Sequence, residues 1–259
     1  MADIRKFDSY KTTTVQSISD YLNYIEKLKH DGLTLFRGHR DDWPLLPKLG
    51  RKRIKLGTKR NTPKLDEKEK ELIQEFKRRS AAHINTQANN YWELLAIAQH
   101  HGLPTRLLDW TTNPLVALWF VVRNGKGVGR KKDYGVVWLY EAEKENIITE
   151  TGGSNTPFNI DKTMVYIPSH ISPRITAQGS VFTVHKYITL HDWFYRFENN
   201  RREKVKLHEI KLYTEFFEEL VVNLDRYGIN EASMFPDLDG IARYIEWKSN
   251  LTYRCPHMT

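Results

Sequence analysis

A group of polar side chains lies between two strongly apolar stretches of the chain, and chemistry is easiest to place there. The group occupies residues 105–112 and includes Arg106, Asp109, Thr111 and Thr112. Polar groups that are buried without partners cost roughly 1–3 kcal/mol each. These side chains must therefore pair with one another or line a cavity. An Arg106–Asp109 ion pair that ties together a turn is the structural alternative to a functional site.

Arg37 and Gly38 form a second candidate, because they directly follow the short apolar run 33–36. The run predicts a buried strand with Arg37 at its end. An arginine in that position can bind a phosphate with two parallel hydrogen bonds, or it can pair with a carboxylate in the core. Gly38 would let a ligand or a second stretch of backbone approach closely.

Two helices must position the central polar group. The first is predicted over residues 92–101 and ends at Gly102, since glycine adopts the left-handed cap conformation without steric cost. Pro104 prevents that helix from restarting. The second helix begins with Asn113 as its N-cap and Pro114 as its first residue.

The sequence as a whole predicts helices first, then mainly strands, then helices again. Predicted helices outside the centre occupy residues 17–28, 66–83, 213–227, 230–235 and 239–247. Predicted strands occupy residues 33–36, 135–140, 164–167, 174–178, 181–185 and 207–212. This order favours an α+β fold, with a mixed or antiparallel sheet flanked by helices, over a doubly wound α/β fold. We expect a single domain over residues 17–248, an N-terminal arm at 1–16 and a tail at 249–259.

The composition limits the classes of protein. The chain has 259 residues, of which 40% are hydrophobic and 28% are charged, as in globular proteins. No apolar run reaches the roughly 18 residues that cross a bilayer, and no signal peptide is recognisable at the start. We therefore expect a soluble cytoplasmic protein without a membrane partner. One cysteine, and histidines that lack the spacing of metal ligands, predict neither a disulfide framework nor a metal site.

Several motifs resemble the FRG domain family, which is named for a Phe-Arg-Gly tripeptide. The tripeptide occupies residues 36–38. The other matching motifs, in chain order, are Trp43 with residues 46–49, residues 99–111, residues 173–182 and residues 234–240. The resemblance implies an FRG domain over most of the chain, and it suggests a bacterial defence or toxin setting.

The chain is also similar at three places to the arginine–serine–glutamate class of ADP-ribosyltransferases. Their landmarks are an aromatic-Arg-Gly at the end of a strand, a Ser-Thr-Ser-type strand leading into a helix, and a later strand with a glutamate. Residues 36–38, 109–120 and 174–184 stand in the corresponding places. The third segment contains no glutamate and has Arg174 and Gln178 instead.

This second resemblance implies an NAD-binding pocket in an ADP-ribosyltransferase-like fold. The residues predicted to bind the nucleotide are Arg37, Gly38, Arg106, Thr111, Thr112 and Arg174. Arg37 would hold the pyrophosphate or a ribose of NAD, and the two threonines would orient the nicotinamide ribose. Asp109 and Gln178 are the candidate catalytic residues, with NAD as the candidate cofactor and no metal. We expect Arg37, Arg106, Thr111 and Gln178 to converge on one pocket.

Two other functions remain open on the same sequence. A formal net charge of +8 and the basic loops 48–60 and 126–132 would suit a nucleic-acid-binding or nuclease-like module. A non-catalytic interaction scaffold, with a purely structural polar core, is the third reading. The first two are compatible, since an enzyme can modify a polyanion.

Overall fold

The structure is a computed structural model. It describes eight segments of the chain. These segments are residues 10–28, 31–41, 43–51, 64–82, 90–125, 132–149, 156–168 and 176–254. Of the two basic loops predicted from the sequence, only residues 48–51 and residue 132 fall within these segments.

Within the described segments, nine strands form a seven-stranded sheet and a small two-stranded sheet. They are β1 (Lys11–Val15), β2 (Leu33–His39), β3 (Leu107–Thr111), β4 (Tyr134–Ala142), β5 (Met164–Tyr166), β6 (Ser180–Val184), β7 (Tyr187–Ile188), β8 (Trp193–Phe194) and β9 (Leu207–Tyr213). The order in the large sheet is β1-β9-β4-β2-β3-β6-β5, while β7 pairs with β8. Only the β1–β9 pair among these described strands is parallel. The predicted α+β fold with a mixed sheet is therefore confirmed.

Seven α-helices accompany the sheet in the described segments. They are α1 (Ile18–Glu26), α2 (Leu65–Ser80), α3 (Tyr91–His100), α4 (Pro114–Val122), α5 (Phe217–Arg226), α6 (Glu231–Met234) and α7 (Leu238–Arg254). The side chain of Ser17 caps α1, and that of Asn113 accepts hydrogen bonds from two backbone N–H groups at the start of α4. Gly102 follows α3 with φ of +84°, as the capping argument requires.

Alternating side chains of the sheet belong to separate hydrophobic clusters. In β2, Phe36 packs with α1, α4 and α5, whereas Leu35 packs in a cluster on the opposite face. A third cluster joins α2 and α3 to β3, β5 and β6. Phe36 is registered opposite Thr111 in β3, so both point to one face of the sheet. Leu107 of the third cluster points to this face too, because it lies four residues from Thr111.

Gly38 is required by the packing of α4 against β2. A Cβ atom at this position would overlap the backbone carbonyl oxygen of Ala117. Of the two reasons that the sequence offers for this glycine, the close approach of a second backbone is therefore the one observed. The overlap cannot be relieved by a rotamer change, because the obstructing atom belongs to the main chain.

Gly38→Ala is expected to lower the free energy of unfolding by about 1–3 kcal/mol, since α4 must move away from the sheet. Urea denaturation would measure the change. Thr34→Ala in the same strand is the control, because it adds no atom, and it should have the smaller effect. Equal stability of Gly38→Ala and the wild type would contradict the proposed packing constraint.

Several predicted boundaries differ from the structure. The N-terminal arm contains β1, which pairs in parallel with β9 through five residue pairs. The strand predicted over residues 174–178 is wrong at its described end, where Thr176 and Ala177 are helical and Gly179 has φ of +53°. The last helix continues into the predicted tail, as far as Arg254. In β2 the strand includes Arg37 and Gly38 rather than ending before them.

Candidate functional site

A cleft of about 610 Å³ opens where β2 and β3 meet, and we call it the central cleft. The two strands share a single registered pair, whereas β2 pairs with β4 through seven. The Arg37 guanidinium donates a hydrogen bond to the backbone carbonyl oxygen of Asp109. The Arg37 side chain thus binds a backbone carbonyl of β3 at the place where hydrogen-bonded pairing between the two strands stops. The lining residues are Phe36, Arg37, Gly38, Lys48, Gln99, His100, His101, Gly102, Asp109, Trp110, Thr111, Ala117, Phe120, Gln178, Ser180 and Phe182.

Arg37 is held firmly at the cleft. Its Nε atom donates to Nε2 of His39 at 2.7 Å, and its Nη1 atom lies 3.7 Å from Oδ2 of Asp109. Burial lowers the pKa of Arg37 to about 10, and the nearby carboxylate of Asp109 opposes this shift. Arg37 therefore remains positively charged at neutral pH.

His39 orients Arg37 as a neutral imidazole. Burial lowers the pKa of His39 well below its usual range, and the charges of Arg37 and Arg51 lower it further. Nδ1 of His39 lies 3.1 Å from the carbonyl oxygen of Trp43. The tautomer that fits both contacts donates from Nδ1 to Trp43 and accepts at Nε2 from Arg37. A protonated His39 could not accept that hydrogen bond.

Asp109 presents a partly exposed carboxylate to the cleft. Its side chain is 52% exposed, and Nε2 of Gln99 donates to its Oδ2 at 3.0 Å. Thr105 in turn donates to Oε1 of Gln99 at 2.8 Å, which fixes the amide. Among the described residues that line the cleft, Asp109 carries the only carboxylate, against the cations of Arg37 and Lys48. The cleft therefore has a surplus of positive charge.

Thr111 and Gln178, which come from distant parts of the sequence, meet in the same cleft as the Asp109 carboxylate. Thr111 donates from its hydroxyl to the carbonyl oxygen of Gln178 at 2.6 Å and accepts from the backbone N–H of Asn113 at 3.0 Å. Gln178 lines the cleft and donates from Nε2 to the carbonyl oxygen of Met234 at 3.0 Å. Thr112 is exposed and does not line the cleft. The Thr111 hydroxyl is thus engaged in holding the cleft together.

The FRG domain family model matches residues 32–128. The matched segment contains β2, β3 and the helices α2–α4, and it contributes Arg37 and Asp109 to the cleft. Gln178 comes from beyond the FRG match. No curated protein matches the chain, and no solved structure does either.

Arg106 lies within the FRG segment but not at the cleft. Its side chain is fully buried, and Nε donates to Glu69 Oε2 at 2.7 Å while Nη2 donates to Asp66 Oδ1 at 2.5 Å. Nη1 donates to the carbonyl oxygen of Pro157. The predicted convergence of Arg106 with the cleft residues is therefore wrong. The structural alternative, an Arg106–Asp109 ion pair, is not formed either, because Arg106 pairs with Glu69 and Asp66. Arg174, the other predicted arginine, falls outside the described residues.

Sequence reasoning missed the polar end of α3 as part of the site. Gln99, His100 and His101 line the cleft although most of their helix is buried. The signal was present in the sequence, because three polar residues end an otherwise apolar helix just before a left-handed glycine. Lys48 was assigned to a basic loop, yet it lines the cleft and donates to the carbonyl oxygen of Gly102 at 2.6 Å.

Two kinds of feature are absent from the described residues. They contain no group of three or more His, Cys, Asp or Glu side chains placed to hold a metal ion. None of their helices combines the length and the apolar character needed to span a membrane.

Proposed function

We propose that the central cleft binds NAD and that the protein cleaves ADP-ribose from it or transfers ADP-ribose to an acceptor. The observation that carries the proposal is the meeting of Arg37, Asp109 and Gln178 around one cleft. These residues come from three separate parts of the sequence.

The dimensions and charge of the cleft suit a dinucleotide. Its volume of about 610 Å³ lies within the range of roughly 300–1,000 Å³ that ligand pockets occupy. Arg37 and Lys48 would neutralise a pyrophosphate. A third cation, Arg51, is close enough to lower the pKa of Arg37 by charge repulsion, and it is itself influenced by the carboxylate of Asp109. The aromatic ring of Phe120, which is only partly buried, offers apolar surface for a nucleotide base.

In the proposed reaction, the bond between C1′ of the ribose and the nicotinamide nitrogen breaks. The bonding electrons leave with nicotinamide, so positive charge develops at C1′ and the ring oxygen. The carboxylate of Asp109 would stabilise this charge, since it is the negatively charged group among the described lining residues. Water or an acceptor hydroxyl then attacks C1′ and releases its proton. Gln178 can hydrogen-bond a ribose hydroxyl but cannot supply the negative charge.

The first test is a calorimetric titration of the purified protein with NAD, beside the variant Arg37→Ala. We expect binding to weaken at least about tenfold in the variant, because hydrogen bonds to charged groups contribute about 1.5–3 kcal/mol. Nicotinamide release would be followed by chromatography in the same samples. Arg226→Ala, an exposed substitution on α5, is the matched control for the loss of one positive charge.

Each result of this titration has a definite meaning, provided that urea denaturation demonstrates a native fold for both variants. Weaker binding by Arg37→Ala, with unchanged binding by Arg226→Ala, would support a nucleotide site at the cleft. An absence of NAD binding by the folded wild type would refute the proposal. Equal weakening in both variants would indicate a general charge effect and would also count against a specific site.

A further inference from the structure

A second cleft of about 530 Å³, which we call the basic cleft, shares no lining residue with the central cleft. It lies at the end of β6 and along the irregular segment that leads to β9. Its lining residues are Asp161, Lys162, Thr163, His185, Lys186, Ile188, Tyr195, Phe197, Asn199, Asn200, Arg201, Arg202 and Glu203.

Three cations around this cleft are available to a ligand. Lys186, Arg201 and Arg202 are exposed, and their side chains form no ion pair with any described residue. A fourth cation, Lys162, is positioned by a hydrogen bond from Nζ to Oδ1 of Asn146 at 2.7 Å. Only two carboxylates line the cleft in the described part of the chain, Asp161 and Glu203, so positive charge prevails.

The ionisable groups in the floor of the cleft are buried and engaged within the protein. Glu203 is buried and accepts a hydrogen bond from the hydroxyl of Tyr140 at 2.5 Å. His185 is also buried, and its Nε2 atom lies 3.0 Å from the hydroxyl of Thr183. Burial lowers the pKa of His185 to about 3, so the imidazole is neutral at physiological pH. The floor therefore contributes one carboxylate, that of Glu203, which also lies 3.9 Å from Nζ of Lys206, so the four cations of the cleft still outnumber its two carboxylates.

An aromatic ring stands among these cations. Tyr195 lines the cleft with 56% of its surface exposed, whereas Phe197, two residues later, is buried in the core. Large exposed aromatic residues next to unpaired arginines are typical of surfaces that bind single-stranded nucleic acid, where bases stack on the rings and cations contact the phosphates. The amide side chains of Asn199 and Asn200 add groups that can hydrogen-bond sugars or bases.

We propose that the basic cleft binds single-stranded nucleic acid. Lys186, Arg201 and Arg202 contact successive phosphates, and a base stacks on Tyr195. A duplex is excluded as the preferred ligand, because its bases are stacked on one another and cannot reach a tyrosine ring. This site does not depend on the basic loops 48–60 and 126–132, and it is independent of NAD binding at the central cleft.

Fluorescence anisotropy with labelled oligothymidylate and oligouridylate, each about 12 nucleotides long, would test the proposal. We expect both strands to bind and the affinity to fall as salt rises from about 50 to about 200 mM. R201A/R202A should weaken binding at least about tenfold and reduce the slope of log affinity against log salt by about 1 or more. Tyr195→Ala should weaken binding at least about fivefold without changing that slope.

The control variant K27A/R226A removes the same charge from exposed positions that do not line the cleft, one directly after α1 and one on α5. Its affinity should stay within about twofold of the wild type. Three results would overturn the proposal: no binding of either strand, equal weakening by the control, or a duplex of the same length that binds as tightly as the single strands. Because the exposed side chains of Arg201, Arg202 and Tyr195 are not part of the core, these variants should fold, and thermal denaturation would verify this.

Discussion

Replacing Arg106 by alanine is expected to lower the free energy of unfolding by about 3–5 kcal/mol, because it leaves a buried carboxylate without its counter-charge. Glu69 is fully buried and accepts hydrogen bonds from both the backbone N–H and Nε of Arg106. The guanidinium also lies 4.8 Å from the ring centroid of Phe158. Urea denaturation of the variant and the wild type at neutral pH would measure the loss.

The pH dependence of this loss separates the charge effect from lost packing. Burial already raises the pKa of Glu69 above its ordinary value, and Arg106 is the group that opposes the shift. Without Arg106 the pKa of Glu69 should rise further, so the carboxyl can become neutral at mildly acidic pH. We therefore expect the destabilisation by Arg106→Ala to be smaller near pH 5 than near pH 7. A loss of equal size at both pH values would indicate that packing alone is responsible.

Two further variants define the comparison for Arg106. Arg78→Ala removes an arginine whose contacts with Glu75 are exposed, and because solvent screens exposed ion pairs, this variant should be nearly as stable as the wild type. The double variant Arg106→Met/Glu69→Leu removes both charges and keeps apolar volume, so it should recover much of the stability lost in Arg106→Ala. No recovery would contradict the account based on an unpaired buried carboxylate.

The starts and ends of the helices could be predicted from the sequence, because they depend on residues that are neighbours in the chain. Asn113 and Pro114 mark the start of α4 by hydrogen bonding and by a fixed backbone angle, and Gly102 marks the end of α3. The period of apolar residues identified the major helices. In contrast, β1 has only Val15 as a buried residue and is held by β9 from the far end of the chain. Nothing in the sequence of residues 11–15 indicates that β9 is their partner strand.

The partners of Arg106 were not predictable from its neighbours in the sequence. Asp109 is the nearest carboxylate in sequence, but its side chain lines the central cleft. Arg106 stands directly before β3 and is fully buried, and it pairs with Glu69 and Asp66 on α2. These carboxylates are about 40 residues away in the chain, so proximity in sequence could not identify them.

The order of the motifs along the chain predicted that Arg37, Asp109 and Gln178 lie together, and the strand order of the sheet explains why. β3 lies between β2 and β6, so Arg37, Asp109 and the segment before β6 are brought side by side. The sequence identified these motifs but could not reveal that β2 and β3 share only one registered residue pair. It also gave no indication that the Thr111 hydroxyl is occupied by Gln178 and Asn113.

Asp109→Asn is expected to reduce nicotinamide release from NAD about 100-fold, a typical loss when one electrostatic contact to a transition state is removed. The affinity for NAD should stay the same or increase. The substitution removes negative charge from beside Arg37 and Arg51 and leaves the backbone carbonyl that binds Arg37 in place. Steady-state nicotinamide release and calorimetric NAD binding, measured on the same preparation, would check both parts.

A loss of turnover without a loss of NAD binding would distinguish Asp109 from a residue that only maintains the fold. Asparagine retains an oxygen that can accept from Gln99, so the hydrogen bond that now reaches Oδ2 can persist. If Asp109 only maintained the fold, the asparagine would therefore leave binding and turnover nearly unchanged, or would lower both together with the stability, but it would not lower turnover alone. Asp239→Asn on α7 is the control for the removal of one carboxylate outside the cleft. If Asp109→Asn binds NAD and releases nicotinamide as fast as the wild type, the carboxylate does not stabilise the transition state, and the proposed chemistry must be abandoned even if NAD binds.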